Sequence, residues 1–78
     1  MTTNIKLSEI HKGRSYAVLG FEKETSDYAQ KLRKMGFVEG TQIELAPIQI
    51  VDPMIFEIRG SRVALRKTEA IQVMVEEL

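Results

Sequence analysis

The sequence predicts a mostly β protein, a small barrel of about five short strands with one short α-helix. Several segments alternate apolar and polar residues, turn residues separate them at close spacing, and one stretch repeats apolar residues at helical intervals. Short strands joined by tight turns are typical of small barrels. Because 78 residues can form only one small core, we expect a single domain over residues 1–78.

The first third of the chain predicts a short turn and a strand. In "LSEIHKGRS" we expect one helical turn capped by Ser8, followed by a turn in which Gly13 adopts positive φ. The nearly continuous apolar run "SYAVLGF" indicates a buried strand, with Gly20 where the strand bends or another backbone approaches.

The next segment predicts the helix. Asp27 followed by Gln30 resembles a capping box, and Gly36 is the expected left-handed residue after the last turn. The apolar stripe of this helix consists of Tyr28, Leu32 and Met35.

A strand follows the helix. Gly40 fits the third position of a type II turn that leads into "TQIELAPI". There Ile43 and Leu45 are expected to face inward, until Pro47 interrupts the strand and requires an edge position or a bulge.

The segment after Asp52 and Pro53, which we expect to start a type I turn, predicts a hairpin. "MIFEI" alternates, and Gly60 and Ser61 have the signature of a two-residue type II′ loop. The register that follows pairs Ile58 with Val63, Phe56 with Leu65, Arg59 with Arg62, and Ile55 with Arg66.

This hairpin is predicted to place three arginines on one exposed face. Arg59, Arg62 and Arg66, with Lys67 nearby, are the predicted partner-binding residues, and an acidic protein surface would complement them. The alternative is a strand face that only contacts solvent. Nucleic acid is not an expected partner, because the net charge is zero and no exposed aromatic residue is predicted beside the arginines.

The C-terminal segment predicts one more turn and the last strand. "KTEA" is expected to form a helical turn capped by Thr68, and "IQVMVEEL" is expected to form a strand beside "SYAVLGF".

The composition argues against enzymes and metal centres. His11 is the one histidine, cysteine is absent, and the acidic residues follow no ligand or acid–base spacing. The glycines do not form a phosphate-binding motif. We therefore expect no catalytic residue, no metal ligand and no cofactor, and His11 is expected to be a solvent-exposed turn residue.

The sequence also bears on location. It lacks the apolar run of a signal peptide, and no stretch approaches the roughly 20 apolar residues that span a bilayer. A cytoplasmic protein without direct membrane insertion is the expectation, which the absence of cysteine permits.

The segment "KLRKMGFVEGTQIEL", followed by "DP" and "GSRVALRKTEA", resembles the ferrous iron transport protein A (FeoA) family. The resemblance extends from Leu7 to Val75 and depends on the order of its parts. These are Leu32, Gly36 and Gly40, Asp52-Pro53, Gly60, Leu65-Arg66 and Glu69-Ala70. "APIQIVDP" departs from the "APLGDP" common in the family by two additional residues and a missing glycine.

The resemblance implies an SH3-like β-barrel and a small, cytoplasmic, non-enzymatic protein. It also implies a partner, the membrane ferrous iron transporter FeoB, which carries a cytoplasmic G-protein domain. Two alternatives remain at this point. One is a free-standing metal-responsive or nucleic-acid-binding barrel; the other is a self-associating module, for instance a homodimer, that pairs through an exposed strand edge near Pro47.

We expect the isolated protein to have no tight ferrous iron site, because one histidine and scattered carboxylates do not form a ligand set. Calorimetric titration with ferrous iron under anaerobic conditions should give no stoichiometric binding at micromolar concentration. Tight binding that disappears in His11→Ala would contradict the expectation.

Overall fold

The computed structural model describes residues 4–49 and 52–78 and contains six strands and two α-helices. The strands are β1 (Asn4–Lys6), β2 (Tyr16–Phe21), β3 (Gln42–Leu45), β4 (Met54–Ile58), β5 (Ser61–Leu65) and β6 (Val73–Glu77). The helices are α1 (Asp27–Lys34) and α2 (Lys67–Ala70), and a 3₁₀ turn spans Leu7–Glu9.

The strands form one antiparallel sheet in the order β1-β6-β2-β3-β4-β5. Within the described ranges no ladder joins β1 to β5, so the expected closed barrel of about five strands is corrected to an open sheet of six. The additional strand is β1, which has only three residues and pairs with β6. Three residues are too few for an alternation pattern to be visible in the sequence.

One apolar core lies against the inner face of this sheet. Its largest fully buried side chains are Tyr16, Phe37, Phe56, Leu7, Leu32, Ile43, Ile58, Val18, Val73 and Val75. Alternation in β3 and β4 is confirmed, since Ile43, Phe56 and Ile58 are buried while Gln42 and Glu44 are exposed. The prediction that the last strand lies beside "SYAVLGF" is also confirmed by the β2–β6 pairing, which shifts register between Val18 and Gly20.

Helix α1 begins one residue earlier than the capping pattern predicted. The Ser26 side chain accepts a hydrogen bond from the backbone N–H of Ala29 at 3.0 Å, so Ser26 is the N-cap and Asp27 is the first helical residue. Leu32 is buried as expected, but Met35 follows the helix and is exposed. Gly36 ends the helix with φ +109°, as predicted.

The two other predicted caps are wrong. Ser8 lies inside the 3₁₀ turn, and Thr68 lies inside α2. Helix α2 is instead held by two carboxylates: Glu69 accepts from the backbone N–H of Arg66 at 2.8 Å, and Asp52 accepts from that of Lys67 at 3.0 Å. A carboxylate distant in sequence can cap a helix as well as a local hydroxyl, which no local pattern reveals.

The loop between β3 and β4 is organised by Gln49. Its side-chain amide donates to the carbonyl oxygens of Ala46 and Ile55 and accepts from the backbone N–H of Ile55 at 3.0 Å. Gln49 thus satisfies both backbone groups of Ile55, as a neighbouring strand would. This residue belongs to the segment that departs from the family pattern, of which positions 50 and 51 lie outside the described residues.

Two expectations about the same loop need correction. The Asp52–Pro53 peptide bond is cis, whereas a type I turn has trans peptide bonds. Of the edge position or bulge expected at Pro47, the edge position is excluded, because β3 lies between β2 and β4. The edges of the described sheet are β1 and β5.

The β4–β5 hairpin has a different turn and register from those predicted. Its two turn residues are Arg59 and Gly60, with φ of 53° and 80°, and positive φ at both positions defines a type I′ turn. The observed pairs are Ile58 with Ser61, Glu57 with Arg62, Phe56 with Val63, Ile55 with Ala64, and Met54 with Leu65. Because each β4 residue pairs two positions earlier in β5 than expected, every pair differs from the prediction. A shift of two residues leaves each side chain on its predicted face of the sheet.

Gly60→Val is expected to destabilise the protein by about 1–3 kcal/mol, because a β-branched residue is strained at φ +80° although there is space for its Cβ atom. Ser61→Val is the matched control: it places the same side chain one residue later, in an extended strand, and should change stability by less than about 0.5 kcal/mol. Equal unfolding midpoints for the two variants in urea would show that the turn does not require positive φ at Gly60.

Candidate partner-docking surface

Arg62 lies on the outer face of β5, directly opposite Glu57 rather than Arg59. The two side chains form an ion pair with 3.9 Å between Arg62 Nη2 and Glu57 Oε1, and 57% of the Arg62 side chain stays exposed. Such a long, solvated ion pair contributes little to stability. The Arg62 guanidinium therefore remains available to another carboxylate.

Arg66 and Lys67 lie where β5 ends and α2 begins. Arg66 is the N-cap residue of α2, in extended conformation, and its side chain is exposed beside that of Lys67. By strand alternation Arg66 continues the side of β5 that carries Arg62. The structure therefore places Arg62 and Arg66 on one side of β5 and its end, and Lys67 directly after them at the start of α2.

Arg59 is separated from that row. It lies in the hairpin turn, and its Cδ atom is 3.4 Å from the position that a Cβ atom on Gly36 would occupy. The side chain thus extends toward the end of α1, although Arg59 itself is exposed. The predicted facing pair of Arg59 and Arg62 does not exist.

Sequence reasoning missed a pair of carboxylates beside these arginines. Glu44 of β3 lies directly opposite Glu57 of β4, where two like charges repel each other. Both glutamates line a shallow groove of about 330 Å³ together with Thr41, Gln42, Arg59 and Gly60. The alternation in β3 already placed Glu44 outside, but only the strand order reveals Glu57 as its neighbour.

Other arginines have structural contacts. Arg14 pairs with Glu77 at 3.1 Å. Arg33 pairs with Glu24 at 3.0 Å, and its guanidinium carbon lies 5.0 Å from the centre of the Phe21 ring. In the described part of the chain, Arg59 has no carboxylate within 4 Å. We call Arg59, Arg62, Arg66 and Lys67 the hairpin cations. They are therefore less engaged in ion pairs than Arg14 and Arg33.

Tyr28 and Glu69 connect the two helices. The Tyr28 hydroxyl is buried and faces the Glu69 carboxylate without reaching regular hydrogen-bond geometry. Burial, and then the neighbouring carboxylate, raise the pKa of Tyr28 above its usual range. The Tyr28 hydroxyl, and then the backbone N–H of Arg66, lower the pKa of Glu69. Tyr28 of α1 thus lies beside Glu69 in the segment that presents Arg66 and Lys67.

Metal-ligating side chains are scattered among the described residues. No group of three or more His, Asp or Glu side chains among them is close enough to hold a metal ion. His11 is exposed, and its backbone N–H donates to the Tyr16 hydroxyl at 3.0 Å. In the same ranges no helix is long and apolar enough to cross a bilayer.

The open antiparallel sheet and the exposed cations define a small, mostly β domain that presents a charged surface. Comparison with known proteins gives its family: the FeoA domain model matches residues 5–77, and the chain belongs to the FeoA family. That family is associated with ferrous iron transport and is not a known enzyme family.

Solved structures agree with this assignment. An iron uptake regulatory protein (FeoA) shares 30% identity with a TM-score of 0.81, and the match covers 97% of this chain and 99% of that one. A FeoA-like protein from Clostridium acetobutylicum shares 36% identity with a TM-score of 0.78, covering 100% and 91%. FeoA from Stenotrophomonas maltophilia, described as a prokaryotic SH3 domain protein complexed with zinc, shares 30% identity with a TM-score of 0.75, covering 96% and 88%. No curated protein sequence matches this chain.

Glu69→Gln is expected to lower stability at pH 7 by about 0.5–1 kcal/mol, because a charged acceptor for the Arg66 N–H is replaced by a neutral one. The folded-state pKa of Glu69 lies below its unfolded value, so its contribution is present above the unfolded pKa and is lost as pH falls through the folded one. The difference from wild type should therefore disappear in acid.

Urea unfolding of wild type and Glu69→Gln at several pH values between 7 and 3 measures this difference. Glu39→Gln, at an exposed loop position, is the matched control and should show a smaller loss at pH 7. A stability difference for Glu69→Gln that grew toward low pH would contradict the assigned role.

Proposed function

We propose that this protein is a cytoplasmic accessory protein of ferrous iron uptake that docks on FeoB, at its cytoplasmic G-protein domain. Membership of the FeoA family supports a role in ferrous iron uptake. The Stenotrophomonas maltophilia relative has itself been suggested to be a ferrous iron transport activating factor, which is consistent with a regulatory role.

The observation that carries the docking proposal is the exposure of the hairpin cations. Arg62 and Arg66 project from one side of β5 and its end, Lys67 follows, and Arg59 occupies the turn. Cations that are held only weakly within their own chain lose little when a partner's carboxylates replace water around them. An acidic surface on the partner is therefore the expected complement.

Docking regulates transport only if affinity differs between states of the transporter. A protein that binds one nucleotide-dependent state more tightly shifts the population toward that state by the ratio of its two affinities. No catalytic group of this chain is needed for such an effect. The proposal is therefore a protein–protein interaction with no chemistry of its own.

Replacing Arg59, Arg62 and Arg66 together with Gln is expected to leave the protein folded and to weaken binding to full-length FeoB in nanodiscs about tenfold or more. Most of the change should be a slower association rate that depends less on salt, because long-range attraction between opposite charges is lost. Surface-binding kinetics at two salt concentrations measure both effects.

The matched control replaces Lys6, Lys12 and Lys23 with Gln, which removes the same charge from other exposed positions. Equal affinities of both triple variants would mean that the hairpin cations only contact solvent. A parallel titration with DNA and RNA tests the nucleic-acid alternative, for which wild-type binding with a steep salt dependence is expected. Concentration-dependent self-association of the wild type without FeoB binding would favour the self-associating module.

A further inference from the structure

The main observation is the backbone conformation of Arg59. Its φ of 53° lies in the left-handed region. Among the described residues, Arg59 is the only one other than glycine that has a positive φ. In type I′ turns this position favours Asn, Asp or Gly, because other side chains clash with their own backbone there. A residue that is unfavourable for the turn and is nevertheless present suggests a role for its side chain.

The second observation is the place where that side chain lies. The aliphatic stem of Arg59 packs over Gly36, with its Cδ atom 3.4 Å from the position of a Cβ atom at residue 36. Gly36 has φ +109° and leaves room for this contact. The hairpin turn and the end of α1 thus meet at a glycine backbone, and the Arg59 guanidinium extends beyond it to solvent.

The third observation is apolar exposure on both sides of Gly36. Met35 is 39% exposed and Val38 is 42% exposed, and these two apolar side chains belong to residues on either side of Gly36 in the chain. The backbone N–H of Val38 donates to the carbonyl oxygen of Gly36 at 2.8 Å, which fixes this turn. Met35, Gly36, Val38 and Arg59 form what we call the Arg59 surface.

The charge of the surroundings determines which partner fits. Lys34 precedes Met35 in the chain, Arg59 packs over Gly36, and Glu39 is the one acidic residue of the segment 31–43. Glu44 and Glu57 line the groove beside Arg59 on the outer face of β3 and β4. An apolar centre with Lys34 and Arg59 beside it complements a segment in which a carboxylate stands next to an apolar side chain. Met and Arg are also among the residue types enriched at protein interfaces.

We propose that the Arg59 surface is a docking site for an acidic segment of a partner protein, whose carboxylate binds the Arg59 guanidinium while an adjacent apolar side chain packs on Met35 and Val38. The inference rests on the proposed function and deepens it, because it assigns the centre of the contact to Arg59 and the end of α1. The row of Arg62, Arg66 and Lys67 then supplies attraction at the rim.

Arg59→Asn tests the proposal because it separates stability from binding. Asn suits left-handed φ better than Arg, so the variant should melt roughly 4–8 °C above the wild type. Its affinity for full-length FeoB in nanodiscs should nevertheless fall about fivefold or more, because the guanidinium is lost. If Arg59 served only solubility, Arg59→Asn would raise stability and leave the affinity for FeoB unchanged, which would contradict the proposal.

Met35→Ser tests the apolar part, and Ile71→Ser is its matched control, since both residues follow the last turn of a helix and both are 39% exposed. We expect weaker FeoB binding for Met35→Ser alone. Unchanged binding for Arg59→Asn and Met35→Ser, with weaker binding for Arg62→Gln, would overturn this inference and leave the proposed function intact. No binding by the wild type would overturn both.

Discussion

The type I′ turn at Arg59 and Gly60 determines where the charged side chains of the β4–β5 hairpin lie. Two consecutive residues with positive φ give the backbone a twist that matches the twist of the strands, and this sets Arg62 opposite Glu57. With the turn one residue later, Arg62 would face Arg59. The same turn directs the Arg59 stem over Gly36. The arrangement of the candidate docking surface therefore depends on one local backbone conformation.

Backbone donors satisfied by side chains hold the short elements in place. Helix α2 is only four residues long, too short to be stable alone, and the carboxylates of Glu69 and Asp52 accept from its first N–H groups. Gln49 provides similar contacts to Ile55 before β4. A small core buries too little apolar area to hold these segments by itself, so the polar contacts connect them to the rest of the domain. Helix α2 and its first residues, Arg66 and Lys67, thus keep defined positions.

The sequence predicted much of the fold because its signals are local. Alternation in "TQIEL" and "MIFEI" identified which side chains are buried, and Gly36, Gly40 and Gly60 all have the positive φ that the turn assignments required. Errors arose where two local solutions compete: Ser26 replaced Asp27 as the cap, and Arg59-Gly60 replaced Gly60-Ser61 as the turn. An arginine at a left-handed position is disfavoured, so sequence rules chose the alternative. The candidate cations were identified, but their mutual positions were not.

By itself the sequence determined the mostly β class and the burial pattern along the strands, because both depend on neighbouring residues. It also determined the FeoA family, because the order of the matching residues along the chain does not depend on how they pack. Only the tertiary structure decided that the sheet has six strands and stays open among the described residues, that Glu44 faces Glu57, and that Arg59 meets Gly36. Those features join segments far apart in the chain. Which of them meet depends on strand order and register, and these are selected by the packing of the whole core.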